Sequence, residues 1–255
     1  MAVEVPPVSV CYQLDTNRRL SPAYLADVRR AYPEVRIISR GLFEGATDAG
    51  GNVPQPVEDP LDAQELKAIL AAGFAFQPYA NNFGSGDLDE SNGPAAVVAP
   101  RKMAEIAAAL DALGYPADAY FSLDWEAWAA TKTFVRLMLA AVAGSKWAGS
   151  GIVYGSIGGG WRGILTSLQD AGDGPARRAI QWLAEYPEPA YQWQQGDALP
   201  GLPDWAGAST FGQQFAGGCL VNGQTVDMSV IRTPLLVVGA EGILLPDGSV
   251  GDIAA

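Results

Sequence analysis

Two carboxylates one residue apart close an apolar run in "AYFSLDWEAW" (residues 119–128), where Asp124 and Glu126 flank Trp125, and Trp128 ends the segment. In an extended strand residues i and i+2 point the same way, so Ser122, Asp124 and Glu126 share one face while Leu123 and Trp125 take the other. Two acids that close together cannot both ionise without cost. The cost grows in a cleft walled by aromatics, so one of them keeps its proton near neutral pH. One proton donor beside one carboxylate is the equipment of glycoside hydrolysis. The same spacing also describes a strand end that runs into solvent and carries its charges there.

Other chemistries are removed by composition. The chain has no histidine, which excludes Ser-His-Asp and Cys-His hydrolases and imidazole acid–base catalysis, and leaves carboxylates, Tyr, Lys and Cys. Cys11 and Cys219 are far apart with no CxxC and read as buried free thiols. Two further acids end apolar segments: Asp15 in "YQLDTN" and Asp227 in "QTVDMS". Each also reads as an Asx turn or helix cap. Trp125, Trp128, Tyr154, Trp193 and Trp205 fall at or beyond strand ends, where flat rings stack on sugar faces or fill the core. "IVYGSIGGGWRG" contains Gly158-x-Gly160-x-x-Gly163, the outline of a dinucleotide fingerprint. It follows the fifth strand rather than opening the fold, and "WR" inside it would crowd a pyrophosphate, so the segment is read as a loop. No cofactor and no metal are expected.

The elements that would position these groups alternate. Strands are read at 8–15, 35–42, 74–83, 117–128 and 150–156, and helices at 21–33, 62–73, 99–114 and 132–145, with Ser21 as an N-cap, Pro22 at the first helical position and Gly closing two helices. Further on, "GWRGILTSLQDAG" and "PARRAIQWLAEYP" read as helices, "AYQWQQG" and "STFGQQFAGG" as strands, and "QTVDMSVI" as a last edge or turn. Strands alternating with helices predict a parallel sheet, and the number of units fits a single irregular (β/α)8 TIM-like barrel over residues 1–231. Residues 232–255 are expected to form a C-terminal extension, a hairpin around "PDG" or a partner-contacting tail. In a barrel, Asp124 and Glu126 would sit at the C-terminal end of the fourth strand, at the face where barrel active sites lie. The first and last strands would be neighbours, bringing Asp15 and Asp227 to the same mouth.

A hydrophobic share of 49% with 17% charged residues in 255 describes a globular chain. The net charge of −12 repels phosphate backbones and anionic lipid, so nucleic acid and membrane insertion are set aside. The start "MAVEVPPVSV" lacks a basic region followed by an apolar one, and no signal peptide is read there.

Taken together, "YFSLDWEAW", the strand-end Asp15, "GIVYGS", "YQWQQG", "FGQQFAGG" and "VDMS" in this order resemble the glycoside hydrolase family 25 muramidases. They resemble still more the related "glycoside hydrolase-like" domains of unknown function in actinobacteria and bacteriophages. The likeness spans about residues 8–231 and is most specific at Asp-x-Glu. It implies a peptidoglycan or related cell-envelope glycan as substrate. Glu126 would be the general acid, Asp124 its assistant, Asp15 and Asp227 the floor of the cleft, and Tyr154, Trp193 and Trp128 the walls. The first strand departs from the muramidase pattern in lacking Gly-x-Asp-x-Ser. The alternative is a catalytically inactive barrel serving as a structural or glycan-binding part of a bacteriophage tail, in a viral assembly or a homo-oligomer.

Overall fold

The computed structural model describes residues 9–43, 60–126, 129–147, 151–185, 193, 195–201, 210–233 and 242–251. In chain order the elements are β1 (Ser9–Thr16), α1 (Pro22–Ala31), β2 (Val35–Gly41), α2 (Ala63–Ala71), β3 (Ala75–Ala80), α3 (Ser85–Leu88), α4 (Ala95–Leu113), β4 (Phe121–Asp124), α5 (Lys132–Ala143), β5 (Gly151–Ser156), α6 (Gly160–Asp170), α7 (Gly174–Arg178), β6 (Ile180–Ala184), β7 (Thr210–Val221), β8 (Gln224–Thr233), β9 (Ile243–Leu244) and β10 (Val250–Gly251). Strands β1 to β8 close on themselves into a TIM-like barrel with helices outside. Local chemistry starts α1, α2 and α5 within a residue of where the sequence predicts, whereas α4 begins at Ala95 rather than at 99. Ser21 Oγ accepts the Tyr24 N–H, Asp62 Oδ1 that of Glu65, and Thr131 Oγ1 that of Phe134, each satisfying an orphan donor of the first turn.

Three expectations are corrected. The sheet is not wholly parallel: β1 to β7 run parallel, but β8 lies antiparallel between β7 and β1. Asn222 and Gly223 join β7 to β8 with φ of 48° and 81°, the left-handed pair that a two-residue hairpin requires, and so short a link cannot make a parallel crossover. "QTVDMSVI" is thus a full strand rather than an edge or turn. The segment read as a helix at "PARRAIQWLAEYP" is instead the short α7 followed by β6. Ile180 and Trp182 line the barrel interior and Leu183 packs outside, so β6 is apolar on both faces and its period of two is invisible in the sequence. The "AYQWQQG" strand falls largely outside the described residues.

Two apolar layers hold the barrel. Leu14, Ile38, Phe76 and Leu123 pack outward under the helices, while Cys11, Ile37, Ala75, Ile152, Ile180 and Ile231 line the lower interior. There β4 is too short to pair with the start of β3, meeting it only at Tyr79 and Ala80. The antiparallel pair β9–β10 fills that seam: Leu244 pairs with Phe76, Tyr120 N–H donates to Gly242 O at 2.9 Å, and Ile243 and Leu245 pack against the interior cluster. Above this floor the interior turns polar, with Gln13, Ser39, Gln77, Ser122 and Ser229 all buried.

On the outer side, one ion pair ties the loop after β1 to β2 and α2. Arg40 donates Nε to Glu65 Oε1 (2.8 Å), Nη2 to Oε2 (3.2 Å) and Nη1 to Thr16 O (2.9 Å), and Glu65 Oε1 also accepts the Leu20 N–H (2.8 Å). Both side chains are at most 1% exposed. Removing one partner leaves a buried charge uncompensated. Glu65→Gln should therefore destabilise the fold by about 3–5 kcal/mol in urea unfolding, and Arg40→Met with Glu65→Leu should recover most of it. A single-variant loss below about 1 kcal/mol, the range of exposed pairs, would contradict this account.

Candidate functional site

The upper mouth of the barrel collects carboxylates from three strands at graded depth. Asp15 on β1 is buried, Asp227 on β8 and Asp124 on β4 are half-buried, and Glu126, two residues past β4, is exposed. Asp15 and Asp227 face each other directly in the β1–β8 register. Burial, then the charges of Asp227 and Glu126, push the Asp15 carboxyl well above the usual carboxylate range. Asp227 is also raised, by burial, against the opposing pull of the Gly218 N–H, which donates to Asp227 Oδ1 at 2.6 Å, and of the Gln214 side chain. Like charges this close ionise separately, so the mouth retains protons at a pH where isolated carboxyls have lost them.

Trp125 explains how Asp124 and Glu126 come to differ in exposure. Its indole is fully buried on the outer face against Phe83, Phe134 and Trp161, at ring distances of 6.3, 5.8 and 6.3 Å. The backbone N–H of Trp125 donates to Tyr154 O at 2.9 Å, which locks the end of β4 to β5. Gly155 is needed there: a Cβ would lie 2.5 Å from Trp125 O and 2.6 Å from Trp161 Nε1. Chain direction beyond that anchor carries Glu126 over the rim.

Tyr154 reaches the rim from β5. Its ring lies 4.5 Å from that of Trp182, and its hydroxyl contacts Gln214 Oε1 and, at 3.5 Å, Glu126 Oε1. Gln214, fully enclosed on β7, also hydrogen-bonds Asp227, so Asp227, Gln214, Tyr154 and Glu126 form one connected line. Tyr79 closes the other side, donating to Asn17 Oδ1 at 2.6 Å. Burial and the carboxylates of Asp15, Asp124 and Asp227 hold its phenol well above the ordinary value, partly opposed by Arg40.

Of the residues singled out in the sequence, Asp15, Asp124, Glu126, Tyr154 and Asp227 are thus brought together. Trp193 is not: it packs against Tyr32 and Phe215, at 6.1 and 6.2 Å, in the outer apolar layer. The β7–β8 hairpin leaves that flank of the barrel without a crossover helix between the two strands, and the Trp193 ring packs there. Tyr12 Oη, on the same flank, donates to Pro200 O. Trp128 and Trp205 lie outside the described residues. Gln214 and Tyr79 were missed. Tyr79 shares a face with Gln77 at the end of β3 and was recoverable by alternation, whereas a bulge after Gln214 breaks the period, and nothing in the doublet "QQ" says which glutamine faces inward. Among the described residues no three Asp, Glu or Cys side chains are arranged to hold a metal ion, and no helix is long and apolar enough to cross a membrane.

No family model matches the chain, and no curated protein does. Solved structures do. An uncharacterized B. stearothermophilus protein superimposes with a TM-score of 0.66 at 16% identity, covering 89% of this chain and 99% of that one. The Mycobacterium tuberculosis Tat-secreted protein Rv2525c, in complex with L-tartrate, gives 0.58 at 13%, covering 88% and 96%. These two establish the shared barrel fold. A looser superposition, TM-score 0.47 at 12% identity over 88% of each chain, is with GHIP, a glycosyl hydrolase 25 of Streptococcus pneumoniae.

The raised Asp15 carboxyl has a consequence for stability. The folded state holds a proton that the unfolded chain releases, so this contribution is complete below the unfolded carboxylate range and is lost as pH rises through the folded value. Asp15→Asn removes the part of the dependence that Asp15 contributes, leaving that of Asp227. Thermal unfolding at pH 8 should be about 3 °C higher in the variant than in the parent, as expected for relief of about 1 kcal/mol of burial cost in a chain this long, and the gap should close toward pH 4. Parallel profiles for variant and parent would contradict the assignment.

Proposed function

We propose that the barrel is a glycosidase that cleaves peptidoglycan or a related cell-envelope glycan by carboxylate acid catalysis. The observation that carries this reading is the convergence of Asp15, Asp124, Asp227 and Glu126 on one mouth, with Glu126 the exposed one of the four and 3.5 Å from the Tyr154 hydroxyl. The resemblance of "YFSLDWEAW" and the strands after it to family 25 muramidases points the same way.

In this scheme the glycan lies across the rim and Glu126 transfers its proton to the leaving glycosidic oxygen as the bond from the anomeric carbon breaks. The positive charge that develops on the sugar ring faces the Asp124 carboxylate. Attack by water on the anomeric carbon completes the hydrolysis, and the released proton restores Glu126. Asp15, whose carboxyl burial and its acidic neighbours push well above the usual range, forms the floor of the mouth.

Binding without cleavage is the second reading. It is favoured by the buried polar floor, which suits a polyhydroxylated ligand, and by the L-tartrate held in Rv2525c. The two readings separate on purified cell wall. Under the first, Glu126→Gln lowers the release of reducing ends by about 10²–10⁴-fold, the usual contribution of a positioned acid, while retaining wall binding. Equal release by parent and variant would remove Glu126 from the chemistry. Binding with no release by either would favour the second reading.

A further inference from the structure

Beneath the acidic mouth lies a layer of neutral polar side chains, Gln13, Ser39, Gln77, Ser122 and Ser229, all fully enclosed. Strand alternation fixes their direction. Cys11, Ile37, Ala75 and Ile231, two residues from Gln13, Ser39, Gln77 and Ser229, pack in the interior, while Leu14, Ile38, Phe76 and Val230 pack outside. Part of the layer satisfies itself. Ser39 Oγ donates to Gln77 O at 2.8 Å, Gln77 Nε2 donates to Ser122 Oγ, and Trp182 Nε1 donates to Ser229 Oγ at 3.1 Å. Four atoms are left over: Gln13 Nε2 and Oε1, Gln77 Oε1 and Asp15 Oδ2 are buried with no protein partner. Asp15 stands two residues above Gln13 on β1. Ser39 is its register partner on β2, and Gln77 is that of Ser39 on β3, so the four atoms face one stretch of the barrel interior.

An amide buried with neither its donor nor its acceptor satisfied is costly, and native proteins rarely keep one. The lining also leaves room, because Ser39, Ser122 and Ser229 stand where bulky Val, Ile and Leu ordinarily fill a barrel of this kind. Polar walls and space are the conditions under which an interior holds water, whereas an apolar cavity stays dry. We infer that this layer is a closed binding chamber for ordered water, with at least two molecules bridging Gln13, Gln77 and Asp15. A buried water makes about three hydrogen bonds, fewer than the four unpartnered atoms require. The ligand must both give and accept, since Gln13 offers two hydrogens and an acceptor and Gln77 a further acceptor. It is also neutral: Asp15, Asp124 and Asp227 repel an anion, and among the described residues no three acidic or thiol side chains are arranged for a metal cation. Ile37, Ala75, Ile152 and Ile180 close the chamber below. Its waters give Asp15 Oδ2 the support from beneath that the protein itself does not supply, and they do so whatever the mouth binds or cuts.

The test is NMR on the full chain, reading contacts between water and the side-chain NH2 group of Gln13. A bound water gives cross-peaks of opposite sign in NOE and ROE spectra, and the chamber predicts them. A Gln13 NH2 group with no such contact in the folded parent would overturn the inference. Oxygen-17 relaxation dispersion then counts the long-lived waters in the parent and in Gln13→Leu, which replaces the amide by an apolar group of similar size. The variant should lose at least one long-lived water, and its Tm should fall by about 2–4 °C, as expected when one hydrogen-bonded group is removed from a chain this long. A folded variant that loses no long-lived water would overturn the inference, and a raised Tm would identify an amide that had been buried dry. The parent spectrum decides even where Gln13→Leu does not fold. Neither readout depends on wall digestion, so an inactive parent with a hydrated chamber would sink only the glycosidase reading.

Discussion

The placement of two carboxylates opposite each other in one strand pair constrains everything at the mouth of this barrel. Asp15 and Asp227 are cross-strand neighbours, and like charges directly opposite in a sheet repel. The pair persists because protons remain on the site and because neutral donors, the Gly218 N–H and the Gln214 amide, are turned toward Asp227. This arrangement needs β8 to run antiparallel. A parallel last strand would require a crossover helix and would bring a different residue of β8 to Asp15.

From that pair outward the site is built by depth. Burial raises the pKa of the deepest acid, hydrogen bonds hold the next, and the anchoring of Trp125 against Phe134 and Trp161 leaves Glu126 exposed beyond them. The helices and the β9–β10 seam contribute by keeping the strands fixed beneath the rim, since a carboxyl placed to within an ångström or so is what acid catalysis requires. The buried Arg40–Glu65 pair has the same effect on the loop that carries Asn17, a partner of Tyr79.

Much of this was legible in the sequence, for identifiable reasons. Alternation at "FSLDWE" gave the shared face of Ser122 and Asp124, and strand–helix alternation gave the barrel and hence the meeting of Asp15 with Asp227. Where the signals failed, two periodicities overlapped or broke. Strand β6 is apolar on both faces and follows a helical turn, so "RRAIQWLA" fits a helix as well as a strand. The bulge at Phe215 hides which glutamine of "QQ" faces inward. Trp193 misled because a strand-end tryptophan suggests a sugar platform. The hairpin that replaced a helix could not be weighed until β8 was seen to be a strand.

The central claim is that these acids cut a glycan at the mouth. Its most direct measurement is the appearance of new reducing ends in purified peptidoglycan incubated with the full chain across pH 4 to 9. The account predicts release that is greatest where Glu126 is still protonated and falls away as the pH rises past that point. Wall that binds the protein yet gains no reducing ends at any pH would contradict it, and would leave a barrel that holds glycan without cleaving it.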